Sequence, residues 1–527
     1  MAAAAPPAGE PVSGSPPMAS SPPTSSAPAD SPPMPAGSAR QHTYVRRLVG
    51  STFNYGLGKF APKIIRFLLT FVFTRILSPE QYGFIDLSSK FGDFLTTPMK
   101  LGVPGAITRF YFDFSEGPSL KDYVTTVAWF VGLCTMTVGL VALVISPWLL
   151  GHFIPGLPYL PFAVLAIVSA MLVCMTELQE RLVQAREQSG YAARLYLGRA
   201  SIAIVLAVLF VAGFRWGAAG MLGAEVVSYL ALALLAIRYL RPEVSGRFRL
   251  PMLRSSLAYG MAMLPGDFAG SLTPLVTQAI LADAQSVSAV GMLGVAGRFA
   301  QPLIILAYAF QTAFNPIYFS IRKEATPGGM QRLAVTARNV WALAIFGGVG
   351  TALLGPWVIV LMTPSSFHAA GPLLPIYVVF FLGMVIQSLF APEIYYSKQT
   401  WWVPVVAYSG SAVNIAVTVL TVHRFGATGV AWAMASERVA TALIFAVISM
   451  RLVMIPHQWF NLARITLCGA AAAAAVFWIP RNGGIAELGI GTLGIAAFPI
   501  VLWMTGDPSI REGLHLARRI WARESQP

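Results

Sequence analysis

Two short runs of ionic side chains stand out because each interrupts apolar sequence. Lys59, Lys63 and Arg66 are spaced i, i+4, i+7 within the apolar segment 53–77. Asp86, Lys90, Asp93, Thr97 and Lys100 are spaced i, i+4, i+7, i+11, i+14 within 84–106. At helical periodicity each set falls on one face. A charge at the centre of a bilayer costs roughly 2.5–3.5 kcal/mol on insertion scales. The ionic groups of these two helices are therefore expected to line a shared, water-filled cavity rather than to face lipid. Cations grouped this way suit a phosphate or pyrophosphate, whose oxygens take charge-assisted bonds and which Arg can grip bidentately. The same cations could instead neutralise Asp86 and Asp93, or snorkel to the membrane surface. Asp86, Lys90 and Asp93 can pair within their own helix, or meet sugar hydroxyls or a coupling cation.

A second candidate is Asp267, beside Pro265 and Gly266 in the apolar segment 253–281. A Pro-Gly interruption frees backbone carbonyls next to the carboxylate, a setting that suits H⁺ or Na⁺. A salt bridge to Arg298, in the following segment, is the other reading. Glu225, Glu437 and Arg438 are also intramembrane; the last two point about 100° apart on a helix, so at least one should reach another helix. Gln278, Gln301, Gln311, Asn315 and Asn414 could bind sugar or bond helix to helix. Trp401 and Trp402 stand where an interfacial anchor belongs. Enzymatic chemistry finds little support. The six histidines are scattered, and there is no HExxH, P-loop or Gly-x-Ser-x-Gly with partners. The lack of a Walker motif argues against ATP as the direct energy source. No Cys/His cluster has metal-ligand spacing, and Cys134, Cys174 and Cys468 lie in apolar segments as buried hydrophobes.

The elements that must position these residues are membrane spans. The chain of 527 residues is 56% hydrophobic and 11% charged, far below the roughly 25% charge of soluble proteins. Apolar segments of about 20 residues predict an all-α polytopic membrane protein of about 14 transmembrane helices: 53–77, 84–106, 123–150, 161–178, 195–214, 217–240, 253–281, 287–314, 337–362, 372–391, 403–422, 427–451, 463–480 and 486–505. With both termini in the cytoplasm, most of the 36 Lys and Arg fall in inner segments, and the outer loops hold only Arg215, Arg424 and Arg481. That bias also accounts for the net charge of +14 without nucleic acid. The outer loops are too short for a catalytic domain. Residues 1–44, rich in Pro, Ser and Ala, are expected to be a disordered cytoplasmic tail, with 511–527 as a basic tail at the other end.

A weak internal repeat divides the spans. Tyr55-Gly56 matches Tyr259-Gly260, Pro62 matches Pro265, Phe91 matches Phe299, and Tyr111-Phe112 matches Tyr318-Phe319, at offsets close to 205. Six spans separate the two starts, so the repeat is parallel, about an axis along the membrane normal. It predicts an N-lobe over 45–240 and a C-lobe over 241–453, with two further helices over 454–510.

The run Thr74-Arg75-Ile76-Leu77-Ser78-Pro79-Glu80-Gln81-Tyr82-Gly83, with Phe91-Gly92 and Leu101-Gly102-Val103-Pro104-Gly105-Ala106, resembles the N-terminal signature of the bacterial polysaccharide transporter family. That family includes the O-antigen and exopolysaccharide (Wzx-type) flippases of the MOP superfamily. The resemblance implies two six-helix lobes in a V-shaped arrangement plus two C-terminal helices. It implies an inner-membrane flippase, not an enzyme, that moves an undecaprenyl-pyrophosphate-linked oligosaccharide to the outer leaflet, alongside polysaccharide polymerase or export machinery.

On this reading the substrate cavity uses Lys59, Lys63, Arg66, Asp86, Lys90, Asp93, Lys100 and Arg298, with Asp267 coupling an ion and no other cofactor or metal. The rival within the superfamily is a multidrug/cation antiporter, which favours acidic, aromatic cavities. Rivals of other classes are a polytopic glycan ligase or glycosyltransferase, disfavoured by the short outer loops, and a non-transporting interaction protein, for which intramembrane charge would have no purpose.

Overall fold

Long apolar runs interrupted by Pro, Gly and Ser give long helices with short breaks, because only a helix satisfies its own backbone inside lipid. The computed structural model describes residues 61–506, apart from 62, 66, 115–117, 155, 325–326, 454, 457 and 478–484. Lys59, Arg66 and the two expected tails, 1–44 and 511–527, lie outside the described residues.

The described residues contain no strand. The helices are α1 (61–73), α2 (Pro79–Lys100), α3 (Val103–Phe110), α4 (Pro118–Phe153), α5 (Val164–Ala185), α6 (Ser189–Ala207), α7 (Gly217–Leu240), α8 (Leu250–Ala284), α9 (Val287–Phe299), α10 (Gln301–Glu324), α11 (Pro327–Met362), α12 (Leu374–Tyr396), α13 (Trp402–Phe425), α14 (Ala427–Leu452), α15 (Trp459–Phe477) and α16 (Ile485–Met504). A π-helical turn leads into α5, another ends α6, and a 3₁₀ segment, Ser365–Leu373, leads into α12. The described parts of the expected apolar segments are helical except at 74–77, 101–102, 214, 300 and 505. Nine helices among the described residues are long and apolar enough to cross a membrane; α2 and α8, which carry charged residues along their length, are not among them.

Two expected spans are each broken in two. The segment 84–106, read as continuous, is α2 and α3: Leu101 (φ 47°) and Gly102 (φ 70°) adopt left-handed backbone between them, and Pro104 has no N–H to continue the ladder. The segment 287–314 is α9 and α10, interrupted at Ala300 just before Pro302.

The most extensive contact between the two halves of the chain is where α2 meets α9. Ser78 caps α2 by accepting from the Gln81 N–H, and Ser286 caps α9 by accepting from the Ala289 N–H, each at 3.2 Å. A Cβ on Gly83 would run into the Val287 carbonyl, and one on Gly291 into the Pro79 carbonyl. The contact is thus reciprocal, as a two-fold axis between the helices requires. At the other end of the α2–α3 segment, the two halves meet again. Gly102 and Gly260 bring the start of α3 against α8, a Cβ at 102 lying 2.7 Å from the Gly260 carbonyl. The last helices, α15 and α16, pack on α11, where Trp341 Nε1 donates to Thr466 Oγ1 at 2.9 Å.

Candidate functional site

Between these two contacts α2 and α8 separate around a cavity of about 630 Å³. One wall is the second half of α2, with α3 and the end of α5; the other is α8. The i, i+4, i+7 spacing on α2 presents Lys90, Asp93, Thr97 and Lys100 to it, and α8 contributes Asp267, Gly270 and Ser271. The hydroxyls of Thr96, Thr97, Thr108 and Ser271 stand among these charges.

The charges are arranged in pairs. Lys90 Nζ lies 3.6 Å from Asp93 Oδ2. Lys100 Nζ donates to Glu177 Oε2 at 3.1 Å, and Arg181 Nη2 donates to Glu177 Oε1 at 2.9 Å. Glu177 thereby holds two cations from different helices at the cavity wall. Asp267 is exposed to the cavity, and its expected partner, Arg298, is engaged elsewhere. Thr97 Oγ1 and Ser271 Oγ are 3.0 Å apart, a hydrogen bond that joins the two walls. Among the described residues the lining therefore balances Lys90, Lys100 and Arg181 against Asp93, Glu177 and Asp267.

Arg298 corrects the expected pairing. It bonds bidentately to Asp86, Nη2 to Oδ1 at 2.6 Å and Nη1 to Oδ2 at 3.1 Å, and lies over the Tyr82 ring at 5.0 Å. Asp86 consequently does not pair with Lys90, four residues on. The reason is proximity: the α2–α9 contact is so tight that a Cβ at Gly294 would overlap the Asp86 carboxylate. Beside the guanidinium is a smaller pocket of about 100 Å³, lined among others by Thr70, Tyr82, Ser89 and Glu225.

Of the expected site residues, Lys90, Asp93, Lys100 and Asp267 share the large cavity, and Asp86 and Arg298 form the pair beyond it. Lys63 is exposed on α1, its Nζ 5.5 Å from the Tyr308 ring centroid of α10. In the second half, Glu437 accepts from Asn414 Nδ2 at 2.6 Å, and the Arg438 guanidinium lies over Phe380 at 5.2 Å. Both reach other helices. Sequence reasoning did not include Glu177, Arg181 and Ser271 in the site. Glu177 and Arg181 sit at i, i+4 where an apolar run turns polar, which reads as a span end, and only the fold brings Lys100 to them.

A family profile described as "Polysaccharide biosynthesis protein" matches residues 48–321, just over half of the chain. A search of curated proteins returns no match. Among solved structures, the lipid II flippase MurJ in an inward closed conformation is similar over 86% of this chain and 99% of its own, with a TM-score of 0.69 and 14% identity. An inward-facing multidrug-resistance MATE family transporter of the MOP superfamily is similar over 76% of this chain and 94% of its own, with a TM-score of 0.59 and 15% identity. The Vibrio cholerae MATE transporter VcmN is similar over 79% and 99%, with a TM-score of 0.51 and 14% identity. At such identities these likenesses speak to fold. With its apolar helices and this profile, the chain is a multi-pass membrane protein with the MOP-type transporter fold and belongs to the polysaccharide biosynthesis protein family.

Proposed function

We propose that the protein is a flippase that moves undecaprenyl-pyrophosphate-linked oligosaccharide units across the bacterial inner membrane for O-antigen, capsule or exopolysaccharide synthesis. The observation that carries this reading is the cavity between α2 and α8, which mixes cations with a row of hydroxyls. Cations offer charge-assisted bonds to a pyrophosphate, and hydroxyls and carboxylates match the donors and acceptors of sugar. Lys90, Lys100 and Arg181 form the anion-binding set, to which the first-span cations Lys59 and Arg66 would add, while Lys63 stands apart beside Tyr308; Asp93 and Glu177 hold cations in position. The two lobes rock about the cavity by alternating access. The Ser78/Ser286 end faces outward and both termini are cytoplasmic, the orientation that places Lys and Arg inside. Transport is coupled to H⁺ or Na⁺, for which the Asp267 carboxylate is a candidate, and the translocated units pass to a polymerase or export machinery.

Reconstituted vesicles carrying a fluorescent polyprenyl-pyrophosphate oligosaccharide test this reading. Protein-dependent translocation that falls at least tenfold in a Lys100→Ala, Arg181→Ala double variant, with equal incorporation, is expected. Efflux of cationic dyes without glycan-lipid movement would instead assign the antiporter role, which the charge balance and the open Asp267 carboxylate would also accommodate.

A further inference from the structure

The Asp86–Arg298 pair lies outside the large cavity and joins the two halves of the chain. Arg298 belongs to the second half of the chain, yet its guanidinium is set between Tyr82 and Asp86 of the first half. Both partners are largely buried, with side chains 24% and 13% exposed. The pair sits beside the reciprocal Gly83/Gly291 contact, so separating the halves at that end must pull Arg298 off Asp86. The carboxylate would then be left without its partner, a costly state unless another positive charge arrives. Lys90 is one turn away but is turned to Asp93. Other groups facing the pair are Tyr377 from α12, Tyr82 on α2 itself, and Glu225 from α7 across the small pocket. That pocket, about 100 Å³ and lined by Arg298 together with Thr70, Tyr82, Ser89 and Glu225, leaves room beside the guanidinium for a water-sized ion.

We propose that Asp86 is a cation-binding site occupied by Arg298 as a tethered counter-ion while the halves are closed, and by a proton or small monovalent cation when they part. The proposal rests on the transporter reading and adds the coupling step to it. Because the site lies at the Ser78/Ser286 end, an ion from that side reaches Asp86 only after the contact opens. It then favours the open state, since a ligand shifts an equilibrium only by its preference for one state. When the ion leaves, Arg298 returns and the contact closes. An ion gradient would thus drive the return without any direct contact between ion and glycan.

The test needs no glycan, so its outcome is independent of the flippase assignment. In the full-length protein the Arg298→Gln variant should melt lower than wild type in choline chloride at mildly alkaline pH. It should regain at least half of the lost Tm on adding Na⁺ or on acidification, the effective condition identifying the ion. The Asp86→Asn, Arg298→Gln double variant should show no such recovery. As a second measurement on the intact pair, spin labels at Glu80→Cys and Ser366→Cys, in a background lacking Cys134, Cys174 and Cys468, should report a longer separation under the same effective condition. Recovery that persists in the double variant, an Arg298→Gln response equal to that of wild type, or a spin-label separation indifferent to both Na⁺ and pH would overturn the proposal.

Discussion

The two ends of α2 carry the same kinds of residue and use them differently. Near Ser78 the helix is pressed against α9 through glycines, and Asp86 is gripped bidentately by an arginine from the other half of the chain. Near Lys100 it borders a cavity, and its charges pair within their own half: Lys90 with Asp93, Lys100 with Glu177. The difference lies in how closely the facing helix approaches. Where a backbone carbonyl sits at glycine distance no side chain fits between the helices, and an ion pair holds the halves together. Where α8 stands away, solvent reaches Lys90 and Asp93, while Lys100 and Glu177 stay as buried as the Asp86–Arg298 pair but border the cavity, within reach of a ligand.

The sharpest way to break the contrast is to force a side chain into the tight end. Gly83→Val should cost about 3 kcal/mol or displace α9 altogether, because the obstacle is the Val287 carbonyl rather than a movable side chain. Gly105→Ala and Gly270→Ala, where nothing stands within 4 Å of a new Cβ, should stay within about 0.5 kcal/mol of wild type. Melting temperatures of the purified variants make the comparison. Equal losses at both ends would mean that α2 and α9 do not approach as closely as described.

The acids give the next contrast. Asp86→Asn strands Arg298 in a largely buried position and should cost about 3 kcal/mol. Asp93→Asn removes a pair whose acid is 65% exposed, for which at most about 1 kcal/mol is expected. A third change reaches binding as well as stability. Glu177→Gln keeps the shape but frees Lys100 and Arg181 from their shared anchor. It should lower Tm, since Lys100 and Glu177 are as buried as the Asp86–Arg298 pair, and should also change the apparent affinity for the lipid-linked substrate several-fold, roughly 1 kcal/mol. Titrating translocation against substrate concentration checks it; an unchanged apparent affinity would make the triad merely structural.

Much of this arrangement was legible from spacing alone. The spacing of Lys90, Asp93 and Lys100, i+4, i+7 and i+14 from Asp86, placed them on one face, and intramembrane charge implied a cavity. The breaks at Gly102 and Ala300 were not read, because Pro104 and Pro302 sit inside apolar runs long enough to pass for single spans. Of the two readings of Asp267, the salt bridge to Arg298 does not form: Arg298 reaches Asp86, which is distant in sequence and so was not weighed as its partner. The Ser78-Pro79…Gly83 and Ser286-Val287…Gly291 spacings were a usable signal for that contact: both place glycine five residues after a helix-capping serine. Glu177 carried no such signal, as a carboxylate at a polar span end looks like surface.

The smallest effect tests whether the cavity end is closed at all. Thr97 Oγ1 and Ser271 Oγ bond across the walls at 3.0 Å, and a hydrogen bond of this kind contributes about 1 kcal/mol, less when water can replace the partner. Thr97→Val and Ser271→Ala should each lower the melting free energy by roughly 0.5 kcal/mol, since the deserted hydroxyl can turn to cavity water. The informative quantity is their coupling. If the bond ties α2 to α8, the double variant should lose less than the two singles together, by a few tenths of a kcal/mol. Substrate should reduce that coupling, because a ligand between the walls competes for the same hydroxyls. Strict additivity, with and without ligand, would mean that the walls do not touch through this pair, leaving the Gly102–Gly260 approach to close that end.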